Sequence, residues 1–138
     1  MKKFFMIWVI ALVPVALRAQ DVGLGEAAER ARRAWFAHNP AELIAESPRV
    51  LVQLPGADPS VALGPDQAVA LLADFLAPSR EVEVLVRAAR QVEPGRGYVE
   101  LQRRYQVSGT QDVRSQVLLL GYRLGDTGWI LVEFRVVG

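Results

Sequence analysis

The sequence predicts a single α+β domain in which helices pack on one face of an antiparallel sheet. The last third of the chain contains three long segments of alternating apolar and polar residues, separated by Gly-containing turns, which is typical of half-buried strands. Apolar residues at helical spacing come earlier in the chain. With 138 residues, of which 51% are hydrophobic and none is cysteine, the chain can bury a core without disulfides. Helices followed by strands indicate one layered domain.

The first 19 residues are predicted to be a signal peptide that does not belong to the fold. Lys2 and Lys3 precede an apolar stretch, Phe4–Leu17, which has the length of a secretory signal and is short for a membrane span. Cleavage after Ala19 would leave 20–138 as a single exported domain in the periplasm or the extracellular space. The alternative is an uncleaved membrane anchor.

The charge of the predicted mature domain argues against a nucleic-acid partner. Removing residues 1–19 takes away three of the 16 basic residues, which leaves 13 against 15 acidic ones, so the net charge changes from +1 to −2. A nearly neutral domain offers little electrostatic attraction to phosphate. Contact with a membrane is expected only through the signal segment before cleavage.

Three helices and two short strands are predicted before the long strands. The first helix carries a stripe of small apolar residues and ends near Trp35 and Phe36. Asn39-Pro40 followed by Glu42 is a capping pattern that begins the second helix, and Gly64-Pro65 begins the third. The predicted elements are the helices Leu24–Ala37, Pro40–Ala45 and Pro65–Ala77, and the strands Arg49–Leu54 and Val61–Leu63.

Four long strands are predicted to form an antiparallel meander. In the first of them, Val82, Val84 and Val86 alternate with charged residues. Turns rich in Gly separate the strands. The predicted strands are Glu81–Val92, Tyr98–Ser108, Val113–Leu124 and Trp129–Val136.

Alternation along the strands also assigns the two faces of the sheet. On the outer face, Val117, Leu119, Trp129 and Leu131 are expected to form an apolar patch, which indicates a protein interface. The alternative is an outer face covered by a loop or a terminus. The predicted inner residues are Val99, Leu101, Tyr105, Leu118, Leu120, Tyr122, Ile130, Val132 and Phe134, with Arg103 on the same side.

Several segments resemble the nuclear transport factor 2-like (NTF2-like) superfamily, and within it the small exported bacterial domains of domain-of-unknown-function family 4783. The segments are 39–44 (NPAELI), 50–54 (VLVQL), 64–68 (GPDQA) and 128–136 (GWILVEFRV). The resemblance is a diffuse pattern that covers nearly all of the predicted mature chain. It implies a cone-like sheet closed at one end by helices, and it transfers no catalytic residues, because that family has no assigned activity.

No catalytic set, cofactor site or metal site is predicted. Related enzymes of the superfamily place an ionisable group inside the cone, where an apolar pocket shifts its pKa. Asp74 falls outside the apolar stripe of its helix, which favours a solvated position. The single histidine, His38, follows a helix end that a histidine stabilises without any catalytic role. One histidine and no cysteine argue against a zinc site, which is usually built from several His or Cys ligands.

Arg103 is the strongest candidate for ligand binding, because a guanidinium at the mouth of a cone can hold a carboxylate in bidentate fashion. Arg114 or Gln116 is expected to approach it from the next strand. The alternative is an arginine that extends to the sheet end or pairs with a helix carboxylate. Residues predicted to line the same pocket, or else to form ordinary core, are Trp35, Phe36, Phe75, Tyr105 and Tyr122.

The leading functional prediction is a non-enzymatic binding or interaction module, homodimeric through the outer face of the sheet. The alternative is an isomerase, dehydratase or cyclase that acts on a small apolar substrate, or a carrier for a small apolar acid anchored by Arg103.

Overall fold

The computed structural model describes residues 23–138 and contains the predicted layers of helices and sheet. The predicted signal peptide, residues 1–19, lies outside these residues. One five-stranded sheet, in the order β1-β5-β4-β3-β2, packs its inner face against the helices. The elements are α1 (residues 23–36), α2 (Pro40–Ile44), β1 (Leu51–Gln53), α3 (Pro65–Leu76), β2 (Ser79–Glu93), β3 (Arg96–Val107), β4 (Val113–Gly125) and β5 (Gly128–Val137).

Helix α1 packs on the sheet through the small apolar stripe that its sequence predicts. Four alanines on this stripe let the helix approach the sheet closely, and Trp35 fills the space near its end. None of the helices in residues 23–138 has the length and apolar composition needed to span a bilayer. The buried residues of the stripe are Leu24, Ala27, Ala28, Ala31, Ala34 and Trp35.

The end of α1 is a Schellman motif centred on His38. His38 has a left-handed backbone (φ 54°), its N–H donates to the Trp35 carbonyl at 2.9 Å, and the Asn39 N–H donates to the Ala34 carbonyl at 2.9 Å. The Asn39 side chain then accepts a hydrogen bond from the Glu42 N–H at 3.3 Å and begins α2, as predicted. This turn fixes the direction of the His38 side chain.

The sheet is antiparallel except at one edge, where β1 runs parallel to β5. Leu51 pairs with Glu133, and Gln53 pairs with Arg135. The predicted strand Val61–Leu63 is reduced to an isolated bridge between Leu63 and Val50. The long strands β2 to β5 form the predicted meander.

A β-bulge in β5 reverses part of the predicted assignment of faces. Gly121 pairs with Glu133 and Tyr122 pairs with Leu131, so Val132 is an extra residue in β5. Leu131 and Phe134 therefore lie on the same inner face although they are three positions apart. Trp129 and Leu131, predicted on the outer face, are core residues (8% and 3% exposed), whereas Ile130 and Val132, predicted inside, are only partly buried.

Strand β2 is an edge strand with three register shifts, which also breaks its predicted alternation. One shift lies between Glu81 and Glu83 and another between Val86 and Ala88. Only Val84 of the three predicted alternating valines is buried, and Val82 and Val86 are exposed. The predicted inner residues of β3 and β4 are buried as expected, apart from Tyr105, which is partly exposed.

Candidate functional site

Arg103 lies on the inner face of β3 and is almost completely buried. In the sheet register it is opposite Val84 of β2 on one side and Gln116 of β4 on the other. Its side chain is 1% exposed. The predicted position on the inner face follows from the alternation with Leu101 and Tyr105, because neither β3 nor β4 has a register shift along their pairing.

The charge of Arg103 is matched by Glu81, which was not predicted as a site residue. Arg103 Nε donates to Glu81 Oε2 at 3.1 Å, and Arg103 Nη2 donates to Glu81 Oε1. The Glu81 side chain is also 1% exposed. Neither charge has much contact with solvent. Each is instead satisfied by the other in a bidentate pair.

The remaining donors of the guanidinium are nearly all used. Arg103 Nη2 also donates to Ser79 Oγ at 2.9 Å, and Nη1 donates to Gln116 Oε1 at 3.0 Å. The Ser79 hydroxyl donates in turn to the Leu76 carbonyl at the end of α3, at 3.0 Å. Of the five N–H groups of an arginine, only the second one on Nη1 lacks a partner among residues 23–138.

Three aromatic rings surround the guanidinium. The Cζ atom of Arg103 lies 4.0 Å from the ring centroid of Tyr105, 5.3 Å from that of Trp35 and 5.7 Å from that of Phe75. Trp35 also stacks on Phe134, with 5.1 Å between the ring centroids. Rings at these distances stabilise a cation through their π faces. The Trp35 Nε1 atom is buried with no hydrogen-bond partner in the described chain.

His38 reaches the same network from the end of α1. Its Nε2 atom lies 3.2 Å from Glu81 Oε1, and its side chain is 29% exposed. Glu81 therefore lies between a buried arginine and a partly exposed histidine. Sequence analysis missed this contact, because it joins residues 43 positions apart and depends on the left-handed turn at His38.

A small cavity of about 150 Å³ adjoins Arg103, and we call it the Arg103 cavity. Ser79, Arg103 and Gln116 supply its polar side. Its apolar side comes mainly from Phe75, Tyr105 and Val107. Because these last three residues and Gln116 are only partly buried, the cavity reaches the protein surface.

The predicted pocket residues do not all meet at this cavity. Phe75, Arg103 and Tyr105 line it, and Trp35 packs behind the guanidinium. Phe36 is 48% exposed, and Tyr122 instead lines a separate cavity of about 80 Å³ between α1, α2 and the sheet. Burial raises the pKa of Tyr122 well above its ordinary value.

The other candidate groups lie away from the site. Asp74 is exposed on α3, and Arg114 is exposed on β4, whereas Gln116 approaches Arg103 as predicted. Within residues 23–138, no group of three or more His, Asp or Glu side chains is arranged to hold a metal ion.

Comparison with known proteins identifies the fold. No family model and no curated protein matches the sequence. Among solved structures, a ketosteroid isomerase-like protein from Erwinia carotovora atroseptica superposes with a TM-score of 0.68 at 16% identity, covering 83% of this chain and 92% of its own. A proposed dehydratase of the NTF2-like family from Streptomyces avermitilis gives 0.66 at 14% identity, covering 86% and 95%. The fold is NTF2-like.

The NTF2-like neighbours include proteins of family 4783, as the sequence resemblance predicted. One of them, from Bacteroides ovatus, superposes with a TM-score of 0.63 at 11% identity and covers 78% of this chain and 90% of its own. These identities establish the fold alone. An NTF2-like fold is compatible with both a domain of unknown function and an isomerase-like or dehydratase-like protein, so the function has to be argued from the residues of the site.

Proposed function

We propose that this protein is a non-catalytic interaction module that forms a homodimer through the outer face of its sheet. The observation that carries the proposal is the pairing of Arg103 with Glu81. Arg103 and Glu81, the charged side chains buried inside the described domain, satisfy each other. The buried charges of the inner face are therefore already paired with each other, which favours the outer face of the sheet as the surface for a protein partner.

The acid–base groups are poorly placed for the enzymatic alternative. A general base has to come within hydrogen-bonding distance of a substrate proton. Glu81 accepts two hydrogen bonds from Arg103 and does not line the Arg103 cavity, and neither does His38. An isomerase, dehydratase or cyclase reaction at this cavity thus finds no carboxylate or imidazole in its lining.

The outer face carries an apolar patch, corrected for the bulge in β5. We call Val117, Leu119 and Ile130 the outer patch; all three are partly exposed. Two glycines adjoin the outer patch, and neighbouring side chains lie over them. A Cβ added to Gly125 would lie 2.6 Å from Ile130 Cδ1, and one added to Gly121 would lie 3.3 Å from Glu133 Cβ. An apolar surface bordered by polar groups is typical of a protein interface.

The charges around the outer patch favour a second copy of the same chain as the partner. Glu133 and Arg135 lie beside the patch, are about half exposed, and approach each other only to 4.0 Å. In a two-fold interface each surface meets itself, so a patch that carries both signs of charge can pair with its copy, whereas a patch of one sign would repel it.

Sedimentation velocity on protein expressed from its full coding sequence tests the dimer. We expect a dimer that Leu119→Arg converts to a monomer, because the substitution places a second cation within the outer patch, opposite Arg135. The matched control is Leu85→Arg, an exposed leucine on edge strand β2 outside the patch, which should remain dimeric. A wild-type protein that stays monomeric at the highest attainable concentration would overturn the proposal.

We also propose that the protein is exported and processed after Ala19. The support is the basic start and the apolar stretch 4–17 of the sequence. The intact mass of the protein recovered from the periplasm or the medium measures the cleavage site directly. Full-length protein retained in the cytoplasm would contradict export.

A further inference from the structure

We propose that the Arg103 cavity binds a small uncharged molecule of about one ring in size that carries a hydrogen-bond acceptor. An aromatic amide or ketone has this chemistry, and a carboxylate does not. The inference is independent of the outer patch, because it rests on the inner face of the sheet.

The size of the cavity limits the ligand. A cavity of about 150 Å³ has the volume for about one ring, although it is open to solvent on one side. Phe75, Tyr105 and Val107 give this cavity an apolar wall suited to a ring. A larger ligand would have to extend into solvent through the open side.

The charge balance of the site selects against an anion. The positive charge of Arg103 is already matched by the bidentate contact with Glu81, whose side chain is 1% exposed. A carboxylate in the cavity would bring a second negative charge next to this buried pair. His38 lies on the Glu81 side of the pair and Arg114 is exposed on the neighbouring strand, so neither supplies a buried cation to the cavity.

The unused hydrogen-bonding groups of Arg103 and Gln116 are donors. One N–H of Arg103 Nη1 has no partner within residues 23–138. The Gln116 side chain uses its Oε1 atom to accept from Arg103, which leaves its NH₂ group free of partners in the same part of the chain. A ligand that enters the cavity therefore has to supply an acceptor oxygen, or these donors lose water without replacement.

This inference is tested by titrating the wild-type protein with three matched probes and measuring NMR chemical shifts at each step. We expect benzamide to shift the resonances of the cavity residues. Benzoate should bind about tenfold more weakly because of its charge, and toluene about tenfold more weakly because it leaves the donors unpaired. Benzoate binding as tightly as benzamide, or no response to benzamide, would overturn the proposal.

Two variants locate the binding without disturbing the Arg103–Glu81 pair. Val107→Phe fills the cavity and should abolish the benzamide shifts, whereas Val113→Phe, at an exposed position that does not line the cavity, should leave them unchanged. Equal binding by both variants would contradict the assignment. The Leu119→Arg variant should still bind benzamide, so a failure of dimerisation and a failure of ligand binding are distinguished.

Discussion

The two ends of the inner face of β3 are built on different principles. At Gly97 there is no spare volume, because an added Cβ would lie 2.8 Å from both methyl groups of Leu24 and 3.3 Å from the Trp129 ring. At Arg103, six residues along the same face, a large charged side chain is buried beside a cavity and held by Glu81. The first end is specified by volume and the second by charge pairing, so the two should respond to substitution in different ways.

The largest effect is expected at the charge-paired end. Arg103→Met leaves the Glu81 carboxylate buried without its main partner, and breaking a buried pair in this way costs about 3–5 kcal/mol of the free energy of unfolding. Urea denaturation at neutral pH, followed by tryptophan fluorescence, measures the loss.

The double variant Arg103→Met/Glu81→Met distinguishes charge pairing from simple packing. If pairing dominates, the double variant is destabilised by much less than the sum of the two single variants, because no isolated charge remains. Additive losses would show that the end near Arg103 is also governed by volume.

An intermediate effect is expected at the end governed by volume. Gly97→Ala forces Leu24 and Trp129 apart and should lower the free energy of unfolding by about 1–3 kcal/mol. Gly25→Ala is the matched control, since nothing lies within 4 Å of its added Cβ and alanine favours the helix, which should stabilise the protein by up to about 1 kcal/mol. A loss of similar size in both variants would remove the distinction between these glycines.

The smallest effect is expected from Tyr122, also at the Gly97 end, and it depends on pH. Burial raises the pKa of Tyr122 in the folded protein above the value of about 10 for an unfolded tyrosine. Below pH 10 the phenol is protonated in both states and contributes no pH dependence. Above it the unfolded state loses its proton first, so the stability of the wild type falls as pH rises.

The free energy of unfolding of Tyr122→Phe, relative to that of the wild type, should therefore be higher at about pH 11 than at neutral pH by roughly 1 kcal/mol. Denaturation of both proteins at the two pH values measures this difference. Burial also raises the pKa of Tyr98, but Tyr98 is present in both proteins, so its contribution to the pH dependence cancels in the comparison. A difference between the two proteins that does not change with pH would show that Tyr122 ionises as freely in the folded state as in the unfolded state.

Sequence patterns predicted what depends on neighbouring residues and missed what depends on register. Arg103 was placed on the inner face correctly because β3 alternates without interruption against β4. Trp129 and Leu131 were assigned to the wrong face, because alternation does not show that Val132 is an extra residue. Glu81 was missed because it reaches Arg103 from the neighbouring strand, next to a register shift.

The parallel pairing of β1 with β5 has a consequence for the order of folding. Gln53 of β1 accepts a hydrogen bond from Arg135 Nε at 3.1 Å, across 82 positions of the chain. Contacts of this kind slow folding, because a long loop has to close before they form. During synthesis β1 has no strand to pair with until β5 has emerged. Of the five strands, β1 is made first and β5 last, so the sheet acquires its β1 edge only after β5 has been synthesised.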